Sequence, residues 1–269
     1  MDDYLLFLGV DGDYHLLAEN NGAYGLLLQI HKQYFLIDPG PGSYHRALDY
    51  QVQPAEIQHI LLTHNHLHHI HDASLFIYGL TQGCTQKEGH LYGPKSLFAK
   101  APRKPHYLPN YFRTHVKNHH SLKPGEHSRF VTTEIKATPV EHPDGGIGYR
   151  IQTPYQTISY VGDTSLTEKV VKAHLGTTIL ILNCKNPLNI DEKGHLNTQD
   201  TQKFIELIQP QVVFLNHIGH KLRKMIAPID LARELQKKTG VSVVVAKEGI
   251  RTTLFQYISK DRQKTLEGY

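Results

Sequence analysis

The sequence predicts an α/β fold, a four-layer αββα sandwich of helix, sheet, sheet and helix. Three observations predict it. The chain opens with closely spaced strands, its last third alternates strand with helix, and no repeat or low-complexity linker lies between. With 269 residues, 39% of them hydrophobic, it can bury a large core, and one domain over 1–269 is expected.

Tyr4 to Leu8, Tyr24 to Ile30 and Gln33 to Ile37 set β-branched and aromatic residues between Gly and Asp punctuation and read as strands. The last two meet at the short turn His31-Lys32, so the chain opens as an antiparallel sheet. After the tight turn Asp38-Pro39-Gly40-Pro41-Gly42, Ser43 to Gln51 reads as helix, Ile57 to Leu62 as a buried strand, and Asp72 to Leu80 as helix. The middle, Gly83 to Gly125, reads as loop-rich. Strands resume at Arg129 to Ala137 and Gly148 to Gln152, the latter paired through Thr153-Pro154 with Thr157 to Val161. The last third gives strand 178–182, helix 198–208, strand 212–216, helix 229–238, strand 241–245 and a final strand near 251–258. Thr198 with Asp200, and Gly240 after Lys237-Lys238, supply helix start and stop signals.

Composition narrows the chemistry. No stretch approaches the roughly 20 apolar residues that a membrane span needs, and Met1-Asp2-Asp3 is acidic where a secretory signal would be basic. A cytoplasmic protein without membrane contact is expected, with a homodimer as its assembly. Cys84 and Cys184 stand a hundred residues apart and read as ordinary thiols, not a disulfide or a cysteine zinc cage. Charge is uneven under a formal net of +4. Between Gly89 and Gly125 no acidic residue occurs, while Lys95, Lys100, Arg103, Lys104, Arg113, Lys117 and Lys123 lie there, leaving −3 for the rest. Tyr107, Tyr111, Phe112 and four histidines interleave with those cations, as in a surface that grips phosphates and stacks on bases; a solvated Pro-rich loop is the competing reading.

Histidine carries the strongest signal. Five of the twenty fall within eight residues, in Thr63-His64-Asn65-His66-Leu67-His68-His69-Ile70-His71-Asp72, directly after the apolar Ile60-Leu61-Leu62. Imidazoles pack poorly but donate lone pairs well, so a buried strand ending in such a cluster predicts a metal site on a strand-to-helix loop. Four more strand ends present a histidine or aspartate: His142, Asp163, His195 and His217. Strand ends are where a sheet scaffold displays reactive groups.

These motifs resemble the metallo-β-lactamase superfamily, and within it the phosphodiesterase branch that includes ribonuclease Z. The family motif His-x-His-x-Asp-His is matched by His64, His66 and His69, with His68 standing at the Asp position. Later motifs match His142, Asp163 in Gly-Asp-Thr, and His217 in Leu-Asn-His-Ile-Gly; Leu8-Gly9 and Ile37-Asp38-Pro39-Gly40 fit as well. The resemblance implies that His64, His66 and His142 hold one metal ion, that His69 and His217 with whatever His68 contributes hold a second, and that Asp163 bridges both. The implied cofactor is zinc, one or two ions, with manganese or iron as alternatives. Asp38 would accept a hydrogen bond from a ligand imidazole, and His195 would stabilise the transition state or protonate the leaving oxygen.

His68 departs from the motif. A neutral ligand in place of an anionic one leaves the centre one unit more positive. The imidazole then binds the second ion and favours zinc over manganese or calcium, or swings out, or marks a site that only binds. The leading expectation is a metal-dependent hydrolase of phosphodiester bonds, taking an anionic small molecule or nucleic acid past Lys221, Arg223 and Lys224. The alternatives are a hydrolase of esters, thioesters or lactones on the same metals, and a non-catalytic metal- or nucleic-acid-binding protein. A long RNA-gripping arm is not evident, which argues against transfer RNA processing.

Overall fold

His31 and Lys32 both take positive φ, 50° and 64°, the backbone that a two-residue turn between right-twisted strands requires, and the first sheet grows from that hairpin. The computed structural model describes residues 3–19, 23–98 and 106–257. The chain forms two compact units. The first is Met1–Leu122 with Asp144–Gly146 and Lys247–Thr253; the second is Lys123–Pro143, Ile147–Ala246 and Leu254–Tyr269.

In the first unit β1 (Tyr4–Val10), β2 (Tyr24–Ile30) and β3 (Gln33–Ile37) run antiparallel, the last two joined by the short turn and the first two through α1 (Tyr14–Glu19). The chain then crosses over through α2 (Ser43–Asp49), so β4 (His59–Leu61) lies parallel to β3. β5 (Glu88–Pro94) and β6 (Val116–Leu122) extend the parallel half, and β14 (Arg251–Thr253) closes the other edge against β1. Ala47 of α2 and Phe76 and Ile77 of α4 (Ala73–Leu80) pack in one cluster with Leu27, Leu36, Ile60, Leu62 and Leu91. Burying each of the larger side chains stabilises by about 1.5–3 kcal/mol.

The second unit starts as a meander, β7 (His127–Phe130), β8 (Thr133–Thr138), β9 (Gly148–Gln152) and β10 (Thr157–Tyr160). It then turns parallel through β11 (Ile179–Asn183), β12 (Val212–Asn216) and β13 (Ser242–Val245). The crossovers are α7 (Glu168–Ala173), α8 (Thr198–Ile208) and α10 (Pro228–Thr239), whose Phe204, Ile205, Leu231 and Leu235 cover Leu180, Leu182, Val213 and Leu215. β11 and β12 are buried at every position, so they read as continuous apolar runs, not alternating ones. Asn197 caps α8 by accepting from the Asp200 amide, one residue before the expected start. Each unit is thus a seven-stranded mixed sheet with helices on a face.

The stretch 83–125 corrects the sequence reading. It is not loop-rich: its described residues hold β5 and β6, two strands of the first sheet, with α5 (Lys95–Phe98) and α6 (Asn110–His115). Gly89 in β5 takes φ 71°, a left-handed conformation open to glycine, and a Cβ there would lie 2.3 Å from Leu80 Cδ2. β6 sits at the sheet edge and exposes Lys117, Asn118 and His119, so it lacks an apolar pattern. Lys100, Arg103 and Lys104 of the basic run lie outside the described residues, as does the end of the expected last strand.

Two buried histidines outside the motifs contribute stability that is lost in acid. His59 lies between the rings of Phe35 and His90, with centroids 4.4 and 5.1 Å away. Burial first, then the neighbouring His90 and His120, pushes its pKa down to about 3. Burial, with Arg150 adding to it, pushes fully buried His174 down to about 3 as well. Both folded values lie below the unfolded value near 6.5, so the unfolded chain binds the extra protons. Stability contributed by the neutral rings is whole above pH 6.5 and falls as pH drops toward 3, by about 1.4 kcal/mol per pH unit for each group. Urea unfolding of wild type between pH 6 and 4 should show a steeper pH slope than His174→Gln by that amount; identical slopes would refute the assignment.

Candidate metal centre

The first unit presents its histidines just past β4. Backbone from Leu62 to His66 is followed at once by the single turn α3 (Leu67–Ile70), so His64 and His66 precede the turn and His68 and His69 ride on it. Asp38, at the end of β3, organises them. It is fully buried, takes φ 46°, and its amide donates to the Leu61 carbonyl at 2.9 Å. Its Oδ1 accepts from the Thr63 amide at 2.7 Å; its Oδ2 accepts from the Thr63 hydroxyl at 2.7 Å and from His69 Nδ1 at 3.0 Å.

Those bonds fix tautomers. His69 gives its Nδ1 proton to Asp38, which leaves the lone pair on Nε2. The Thr63 hydroxyl spends its proton on Asp38 and therefore accepts from His64 Nδ1, 2.9 Å away, so His64 also keeps its lone pair on Nε2. His66 places Nε2 2.8 Å from Asp144 Oδ2 and, donating there, keeps its lone pair on Nδ1. His64 Nε2 and His66 Nδ1 then face each other at 2.8 Å, lone pair against lone pair. That arrangement is repulsive unless a proton or a metal cation lies between, and the donor set fits a nitrogen-loving ion. His68 stacks near His66, with ring centroids 5.5 Å apart, and offers a ring nitrogen within 4.8 Å of one of His69.

The second unit presents the remaining candidates. Asp163 follows β10, and its Oδ1 accepts from Asn183 Nδ2 at 2.7 Å, which turns Oδ2 toward His195 Nδ1 at 3.6 Å and His217 Nε2 at 3.7 Å. A ring nitrogen of His142 lies within 4.8 Å of an Asp163 carboxylate oxygen. His217 directly follows β12 with φ 53°, a left-handed conformation costing a non-glycine residue roughly 1–3 kcal/mol, and such strain concentrates at functional sites. Gly194 has φ 90°, and a Cβ there would lie 2.7 Å from His142 Cδ2, so only glycine lets the His195 loop close on the His142 ring. Glu192 lies behind His195, Oε1 to Nε2 3.6 Å. Burial raises its carboxyl pKa, but hydrogen bonds from Lys185 and Asn186 and the His195 charge outweigh this and hold it below the usual value.

The first unit therefore gathers His64, His66, His68, His69 and Asp38, and the second gathers His142, Asp163, His195 and His217. Sequence reading missed Thr63, Asp144, Asn183 and Glu192. Asn183 left a signal, a polar residue ending the all-apolar Ile179–Leu182. Of the expected basic rim on α9 (His220–Met225), Lys221 and Lys224 are exposed, whereas Arg223 Nε donates to the Ile218 carbonyl at 3.0 Å. Among the described residues no helix is long and apolar enough to cross a membrane.

Comparison with known proteins agrees with these motifs. Residues 33–218 match the family described as the beta-lactamase superfamily domain. An uncharacterized protein of Methanocaldococcus jannaschii is 28% identical over 254 residues, 93% of this chain and 94% of that one. A ribonuclease Z of Acaryochloris marina is 26% identical over 154 residues, 55% of this chain and 47% of that protein. Among solved structures, the metallo-beta-lactamase fold protein YhfI of Bacillus subtilis superposes with a TM-score of 0.76 at 20% identity, covering 94% of this chain and 99% of its own. The short form of human tRNase Z gives 0.69 at 17% identity, covering 93% and 98%. The chain belongs to the metallo-β-lactamase superfamily, a group of metal-dependent hydrolases, and its similarity within it runs to the ribonuclease Z-like branch. The expected α/β fold, with sheets flanked by helices, is the one found.

Proposed function

We propose that the chain is a zinc-dependent hydrolase of phosphodiester bonds. The observation that carries the metal is the pair of lone pairs that Thr63 and Asp144 force to face each other on His64 and His66. In this reading, as the family resemblance implies, His64, His66 and His142 would hold one ion, His68, His69 and His217 would hold a second, and Asp163 would serve both. Bound there, the ions would supply Lewis acidity, lowering the pKa of water toward neutrality and offsetting charge that builds on phosphate oxygens.

The chain's own residues do the rest. Asn183 holds one oxygen of Asp163 so that the other faces His195 and His217. Asp38 keeps the Nε2 lone pair of His69 available. His195 holds a proton for the leaving oxygen, and the identity of the substrate as a phosphodiester is supported by the ribonuclease Z relatives.

The test uses untagged protein, its metal content measured, then turnover compared on bis-p-nitrophenyl phosphate and on a panel of esters and lactones. Phosphodiester cleavage that a chelator abolishes and zinc restores is expected. Cleavage of lactones or esters alone, or metal binding with no turnover of either, would sink the reading. His68→Asp restores a charged oxygen donor and is expected to move uptake from zinc toward manganese when both are offered at equal concentration; unchanged metal preference would mean that His68 is no ligand.

A further inference from the structure

We infer that Glu192 is the positioning residue for His195, held in place by Lys185 and Asn186. The inference rests on the phosphodiester reading for the identity of the proton's acceptor. The imidazole of His195 lies between two carboxylates, with Nδ1 3.6 Å from Asp163 Oδ2 and Nε2 3.6 Å from Glu192 Oε1. Glu192 is itself clamped: Lys185 Nζ donates to Oε1 at 2.8 Å and Asn186 Nδ2 to Oε2 at 3.0 Å.

The backbone ties these groups into one loop. The His195 amide donates to the Glu192 carbonyl at 3.0 Å, and the Lys185 and Asn186 amides both donate to the Leu196 carbonyl at 3.2 Å. The stretch 185–196 therefore presents carboxylate and imidazole together. An imidazole has two edges, and a ring held on one bond can swing or flip. A carboxylate fixed behind Nε2 selects the orientation in which Nδ1 faces Asp163, the side where the reacting atoms would lie. A partly exposed Lys–Glu pair adds little to stability, so placement of the ring is the larger consequence.

In the step this serves, the oxygen of a water bonds to phosphorus. The bond from phosphorus to the leaving oxygen breaks with its electron pair on that oxygen, which takes the proton from His195 Nδ1. The proton released by the attacking water returns to the ring through solvent. A leaving alkoxide needs that proton, whereas p-nitrophenolate leaves without it.

Glu192→Ala, Glu192→Gln and Lys185→Met are compared with wild type on two phosphodiesters that differ only in leaving group. For Glu192→Ala, kcat with the alkoxide is expected to fall about a hundredfold, with the p-nitrophenolate less than about threefold, at unchanged KM. The isosteric Glu192→Gln and the unclamped Lys185→Met should show the same selectivity to a smaller extent. Equal losses on both substrates would reduce Glu192 to a structural part and overturn the inference. The ring nitrogens of His195, labelled with 15N and assigned by their disappearance in His195→Gln, give a readout that needs no turnover. Wild type should show one tautomer and Glu192→Ala a tautomeric average; unchanged signals overturn the inference. Should wild type cleave no phosphodiester, the proposed function fails while the ring signals still decide what Glu192 does.

Discussion

Asp163→Asn should leave the fold standing and empty the metal centre. Asn has the shape of Asp, and its side-chain oxygen can still accept from Asn183 Nδ2, the bond that holds the residue at 2.7 Å in the wild type. What disappears is charge. With His68 at the position where the family motif has an acid, Asp163 supplies the sole carboxylate of the proposed donor set; the others are neutral imidazoles. Two divalent ions held by imidazoles alone would repel each other with little to offset their charge, and Asp163 itself is buried. After dialysis against a weak chelator the variant should retain less than a tenth of the wild-type metal. Turnover should fall at least about a thousandfold, equivalent to roughly 4 kcal/mol. Urea unfolding of the two metal-free proteins should coincide, because the Asn183 bond survives. Wild-type metal content in the variant would show that Asp163 is not a ligand.

Much of the proposed site was legible because its candidate residues sit where strands end. A strand such as Val212–Asn216 announces itself as a run of buried apolar residues, and the first polar residue past it, His217, is forced to the sheet's end. Asp163, the first polar residue past β10, could be read the same way, while His142 lies four residues past the end of β8. What could not be read was anything fixed by packing between distant stretches. β5 carries two glycines and a proline and still pairs along both sides, with Gly89 in the left-handed conformation, φ 71°, that glycine adopts without strain. β6 exposes its polar residues because nothing pairs beyond it among the described strands. Asp144 and Glu192 look like loop acids until the fold places one 2.8 Å from His66 Nε2 and the other behind His195. Short helices such as Tyr14–Glu19 and α7 are too brief to show a 3.6-residue period. Local pattern reports strands and their ends; the partners that tune a ligand come from elsewhere in the chain.

Asp38→Asn should cost metal affinity through a proton, not through a lost contact. The wild-type carboxylate accepts on both oxygens: the Thr63 amide on one, the Thr63 hydroxyl and His69 Nδ1 on the other. An asparagine can accept on only one side. If its oxygen keeps the Thr63 amide, its NH2 points at the Thr63 hydroxyl and at His69 Nδ1, two groups that were donors. The hydroxyl can rotate. His69 can answer only by moving its proton to Nε2, so that Nδ1 accepts, and the nitrogen proposed as ligand then carries a hydrogen where its lone pair should be. The rotated hydroxyl also stops being a pure acceptor for His64 Nδ1, so the disturbance reaches a second ligand. Partners of ligating histidines are worth about 10–100-fold in metal affinity, and with two imidazoles affected the upper end is expected. Competition with a chromophoric chelator would measure the loss, and imidazole 15N shifts would show His69 exchanging its Nδ1–H form for the Nε2–H form. Loss of affinity with His69 still protonated on Nδ1 would point to a general softening of the buried turn instead. Retained affinity would remove Asp38 from the account of how this chain prepares its histidines for a metal.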